Sequence, residues 1–93
     1  MTDGLTLKIY TVDRQLSPIL CDSVRIPVSD SVSGEFSGFY GIKKGHAKAV
    51  FSLKEGKLTA SEKEKQVFTA EISDGFAAVE NNEVRIIVDR ISE

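Results

Sequence analysis

One cysteine (Cys21), one histidine (His46) and two prolines are all that this chain of 93 residues holds of those three residue types. A lone cysteine cannot close an internal disulfide, which fits a reducing compartment and leads us to expect a cytoplasmic protein. One histidine and one cysteine also leave no cluster of metal ligands at workable spacing. Proline is too rare, and glycine at seven residues too modest, for a disordered chain. Charge of one sign is missing as well. Twelve basic against fourteen acidic side chains give a net charge of −2, so no general field for nucleic acid exists. No apolar run approaches the ~20 residues of a membrane span, and no basic-then-apolar leader opens the chain. Phosphate-binding motifs are absent too: Gly34, Gly38, Gly41 and Gly45 fall in the wrong order for a P-loop or a GxGxxG turn.

What the chain does contain is alternation. Hydrophobic residues make up 41% of it, enough for one small domain spanning residues 1–93. Leu5, Leu7 and Ile9 alternate with polar neighbours in a first strand, and Asp13-Arg14-Gln15 turns it. Leu16 to Cys21 and Ser23 to Val28 read as extended, with Pro18 and Pro27 expected at a strand start, a bulge or an edge. Ser29 to Gly45, rich in glycine and serine, reads as a long loop or a set of short irregular strands. Ala47 to Lys54 is a strand, Glu55-Gly56 a turn, and Lys57 to Ser61 a weaker strand. The run Glu62-Lys63-Glu64-Lys65 reads as a charged hairpin tip, in preference to a helix over residues 59–70. Phe68 to Asp89 reads as a three-stranded meander with turns at Ser73-Asp74-Gly75 and Asn81-Asn82. The expected class is all-β, a sandwich or barrel.

Chemistry is sparse. Cys21 and His46 would form a nucleophile–base dyad only if the fold joined them, and a lone strand cysteine is more often a small buried hydrophobe. Acidic pairs such as Asp22 with Asp30 and Glu62 with Glu64 read as solvated surface. Lys43-Lys44-Gly45-His46-Ala47-Lys48 is the one local basic patch. Beside Phe39 and Tyr40 it could contact an anionic ligand or a single strand of nucleic acid, or it could simply keep an edge soluble. Neither a catalytic site nor a cofactor is expected.

The order of motifs resembles the N-terminal β-sandwich domain of the epsilon subunit of F-type ATP synthases, called delta in mitochondria. An LTLKIYTVDRQL strand and a DSVRIPV strand lead into a glycine-rich loop closing on Gly45-His46-Ala47. Ser52 to Leu58 is similar to the family's leucine–turn–glycine hairpin, and Ser73 to Asp89 to its closing strands. The resemblance implies a flattened ten-stranded sandwich with no catalytic role. It implies a rotor part joining the gamma subunit to the c-ring, for proton- or sodium-driven ATP synthesis, with no nucleic-acid partner and no insertion into the membrane. Gly45, His46 and Ala47 would then face the ring. The position at which the family often carries glutamate falls on Phe39, or on Glu35 if a gap is allowed. Lys44 and Lys48 stand where the family has prolines, which loosens the turn and adds positive charge. The segment from Ser29 to Ser37 is longer than usual. The sequence also lacks the C-terminal helical hairpin that carries ATP binding and inhibition in bacterial members, so neither role is expected.

Overall fold

A computed structural model describes residues 4–93, in which ten strands and their turns account for the architecture. They are β1 (Leu5–Tyr10), β2 (Ile19–Cys21), β3 (Ser23–Ser29), β4 (Phe36–Lys43), β5 (Ala49–Leu53), β6 (Gly56–Glu62), β7 (Lys65–Ile72), β8 (Gly75–Glu80), β9 (Glu83–Val88) and β10 (Ile91–Ser92). Alternation decides which side of each strand is inward. Leu5, Leu7 and Ile9 of β1, Val24 and Ile26 of β3, Leu58 and Ala60 of β6 and Val84, Ile86 and Val88 of β9 are all buried in one core. Residues 59–70, for which a helix competed, pair as β6 and β7 instead. Their tip places Lys63 and Glu64 at φ of 51° and 66°, the positive values of a primed two-residue hairpin.

The sheet curls in the order β10-β7-β6-β3-β5-β8-β9-β1-β2, with β4 attached only to β3. Every pairing is antiparallel except that of β1 with β9. Asp22 bends the chain directly from β2 into β3, drawing the two halves of the curl together. Its N–H donates to Ser61 O at 2.9 Å, and its carboxylate accepts the Lys63 N–H at 2.7 Å. Pro27 is buried within β3, where that strand changes neighbours. Arg25 still pairs with β6 and Val28 already pairs with β5, so the missing donor falls at the handover.

Two expectations need correction. Phe68 to Asp89 is not a meander: β7 pairs with β6 and β10, whereas β8 pairs with β5 and β9. Ser73-Asp74-Gly75 is therefore a corner between the two halves of the curl. Partners from elsewhere in the chain hold it: Ser73 Oγ accepts the N–H groups of Asp89 and Arg90, both at 3.0 Å, and Asp74 Oδ1 accepts that of Glu55 at 2.7 Å. Nor is Ser29 to Gly45 chiefly loop. After a turn over residues 30–35 it forms the eight-residue strand β4, one of the two longest. Only Ile42 of that strand is buried, so no run of alternating apolar residues announced it.

Candidate functional site

The outer surface of the β5-β8-β9-β1 half is built by the residues that alternate with the core. Cross-strand register aligns Ser52, Phe76, Ile87 and Tyr10 in one row, and Val50, Ala78, Arg85 and Lys8 in the next. Phe76, Ile87 and Val50 are all exposed there, and Val12 lies just beyond the end of β1 with 82% of its surface in solvent. A groove of about 570 Å³ runs along the same end, lined among others by Tyr10, Val12, Lys54, Phe76, Ile87 and Asp89. An exposed cluster of large apolar side chains on adjacent strands marks a surface awaiting a partner. The sequence carried the signal, for Ile87 and Phe76 are apolar at positions whose alternation points outward.

Charges flank this face in pairs. Lys8 Nζ lies 2.9 Å from Glu83 Oε1, and Arg85 engages the other Glu83 oxygen. The Lys8 hydrogen bond foremost, with that of Arg85, holds the Glu83 carboxyl below the usual range.

At the opposite end of the same strands lies the β4–β5 loop. Gly45 takes a φ of 83°, which favours glycine, and its N–H donates to Asn82 Oδ1 in the β8–β9 turn at 2.8 Å. Asn81 and Asn82 adopt φ of 51° and 60°, confirming the tight hairpin expected there. The His46 N–H reaches Lys43 O at 3.1 Å. Around the imidazole, Nδ1 lies 2.7 Å from Ala47 O and Nε2 lies 2.7 Å from Tyr40 Oη. A carbonyl only accepts, so Nδ1 carries the proton and Nε2 of the neutral ring accepts from the tyrosine hydroxyl. Tyr40 and Phe51, with ring centroids 4.7 Å apart, form the wall behind it. Tyr40 and Asn82 are thus the residues that fix this loop, and sequence reasoning gave neither that role.

The five residues singled out for a partner contact do not form one group. Gly45, His46 and Ala47 share the loop. Phe39 projects from mid-β4, edge-on to Phe36 and beneath Arg25, whose guanidinium carbon is 4.3 Å from the ring centroid. Glu35 precedes β4 in the turn over residues 30–35, at the far end of that strand, and its carbonyl accepts the Asp30 N–H at 2.8 Å. Eight strand residues separate it from the loop by roughly 25 Å. Cys21 and His46 do not make a dyad. Both nitrogens of His46 are engaged, one by Ala47 O and the other by Tyr40 of β4, while Cys21 is buried in β2. Burial, and then the charges of Asp22 and Glu62, push its thiol up to about 11.

A family model described as the ATP synthase Delta/Epsilon chain, beta-sandwich domain, matches residues 4–93. The chain belongs to this family. Among solved structures, a chain of the Euglena gracilis mitochondrial ATP synthase (OSCP/F1/c-ring in rotational state 1) superposes with a TM-score of 0.78. Identity to it is 23%, over 95% of this chain and 52% of that one. A chain of the Tetrahymena thermophila mitochondrial ATP synthase central stalk/c-ring gives a TM-score of 0.71 at 12% identity, over 99% of this chain and 68% of that one. This delta/epsilon domain therefore spans about half the length of the Euglena chain it matches. No curated protein sequence matches it. At these identities the structural likeness speaks for the fold, and the ten-strand curl described above agrees with the β-sandwich of the family.

Proposed function

We propose that this domain is a non-catalytic rotor part of an F-type ATP synthase, coupling the gamma subunit to the c-ring. One observation carries the reading: two unlike contact surfaces lie at opposite ends of the same strands. Apolar side chains toward one end of the outer face (Tyr10, Phe76 and Ile87) suit a dry, tightly packed contact with gamma. The hydrogen-bonded loop Lys43 to Lys48 offers polar and charged groups to the ring, with Gly45, His46 and Ala47 at its centre and Phe39 farther along β4. Glu35 stands apart from that contact. A β-sheet joining the two ends resists shear because its backbone hydrogen bonds and packed core move as a unit, and torque transmission needs such a body. The work is mechanical, performed at the inner face of the coupling membrane without insertion into it. Neither cofactor nor reaction is assigned to the chain.

Calorimetry with the gamma subunit of the same organism tests this. The expected result is one-to-one binding below about 1 μM with a strongly negative heat-capacity change, the mark of apolar burial. Placing carboxylates in the face with Phe76→Asp and Ile87→Asp should weaken binding by roughly 30-fold or more while the fold persists. Absence of binding between folded wild-type partners would refute the assignment. So would full affinity in the double variant.

A further inference from the structure

We infer that the free edge of β4 is a self-pairing site: two copies of this chain join by laying their β4 strands antiparallel, centred on Phe39. The inference goes beyond the rotor reading and concerns the domain outside the assembly.

β4 is the long unprotected edge of the sheet. It pairs with β3 alone, so its other side faces no strand among the described residues. The two ends of the main strand order are short by contrast, two residues in β10 and three in β2. Short strands and charged side chains keep sheet edges from pairing with other chains, and β4 has neither along most of its eight residues. Lys43 at its end is its one charged residue, while Phe36, Phe39 and Tyr40 are all exposed.

Register shows which backbone groups the edge offers. Pro27 O accepts the Lys54 N–H at 3.1 Å, so Pro27, and Arg25 two residues before it, turn their backbone away from β4. Opposite them, Phe39 and Gly41 turn theirs away from β3, toward the open side. A β-carbon added at Gly38 or Gly41 would meet nothing within 4 Å, so a second backbone can approach closely.

The strand is also its own complement. With Phe39 opposite its counterpart, Tyr40 falls opposite Gly38 of the second copy, and the reverse. An aromatic ring over a cross-strand glycine covers bare backbone, and the two Phe39 rings form a cross-strand pair flanked by Phe36. The same register brings Lys43 level with Glu35 of the other copy at both ends. Neither residue has an ion partner among the described residues of its own chain. Centring on Tyr40 instead fails, because its backbone groups are spent on Ile26. The outer face of β5, β8, β9 and β1 lies on other strands, so a paired domain still offers it to gamma.

Sedimentation velocity of the chain from about 5 μM to about 500 μM tests this. Wild type should pass from monomer to dimer across that range. Gly41→Pro, which removes an outward N–H and no internal hydrogen bond, should weaken the dimer by roughly 10-fold or more. Lys43→Glu and Glu35→Lys each set like charges together twice per dimer and should weaken it by about 5-fold or more. The double exchange Glu35→Lys/Lys43→Glu should restore it. Calorimetry with gamma should give one affinity for wild type and every variant. A wild type monomeric throughout overturns the inference, and so does a dimer that Gly41→Pro and the single charge changes leave intact. Failure of the double exchange to restore pairing overturns the arrangement centred on Phe39. A dimer with no affinity for gamma leaves the pairing standing and overturns the rotor reading, whereas gamma binding by a strict monomer does the reverse.

Discussion

Asn82 does two things at once, and the substitution Asn82→Gly separates them. Its backbone occupies the second central position of the β8–β9 turn at φ 60°, where glycine is equally suited, so the turn survives the change. Its side chain accepts the Gly45 N–H at 2.8 Å, and glycine has nothing to replace it. The freed amide lies in an exposed loop and can turn to water. Its net loss is therefore that of one ordinary hydrogen bond, about 0.5–1.5 kcal/mol, rather than the larger penalty of a stranded buried donor. That range corresponds to a fall of about 2- to 13-fold in the protection of one amide. Global stability should fall by about the same 0.5–1.5 kcal/mol and no more, since relief at the αL position and the entropy of the added glycine oppose one another. Native-state hydrogen exchange followed residue by residue reads the first quantity, and urea unfolding reads the second. Asn81→Gly is the control, because it changes the same turn without touching Gly45. Unchanged exchange at Gly45, or a global loss above about 1.5 kcal/mol, would refute the division of labour.

Gly75→Ala should be costly. A β-carbon there would press on Ile87 O and lie 2.8 Å from Val88 Cγ1 and 3.0 Å from Val88 Cα, mostly backbone that cannot step aside. Overpacking of this kind costs about 1–3 kcal/mol, or roughly 4–8 °C in Tm for each, whereas Gly41→Ala, which meets nothing within 4 Å, should leave Tm nearly unchanged. Equal shifts for the two would argue against the clash. Acid stability should depend in part on Glu83. Its carboxyl is depressed in the folded state, so its contribution is fully present above the unfolded value of about 4.3 and is lost as pH falls through the folded one. Urea midpoints measured from about pH 6 down to about pH 3 should fall less steeply for Glu83→Gln than for wild type. An identical acid limb would mean that the Lys8 contact contributes nothing.

Legibility in the sequence followed burial. β1 and β9 could be read directly because each puts every second residue into the core, as Leu5-Leu7-Ile9 and Val84-Ile86-Val88 do. β4 could not, since it lies on the outside of β3 and buries only Ile42. Composition also could not distinguish two kinds of turn. Asn81-Asn82 and Ser73-Asp74-Gly75 have similar turn chemistry, yet one closes a hairpin and the other turns a corner. The difference lies in distant partners, Asp89, Arg90 and Glu55, which no local window contains. The Gly-His-Ala loop was located through the resemblance of its motif to the family. That Tyr40 and Asn82 hold it, and that Glu35 lies at the other end of β4, depends on how strands register in space.

The parallel pairing of β1 with β9 has a consequence for how the protein is made. Leu7 sits opposite Val84, so β1 can complete its ladder only after every strand through β9 has followed it from the ribosome. Until then Leu5, Leu7 and Ile9, all destined for the core, belong to a strand with one short partner, β2. Closure across so long a span makes folding a late event, on the millisecond-to-second scale of β-rich domains with distant contacts. The nascent chain must therefore keep an apolar, half-paired strand out of reach of other chains throughout its synthesis. For a part that works only inside a larger machine, that interval is when chaperones or early assembly partners have most to protect.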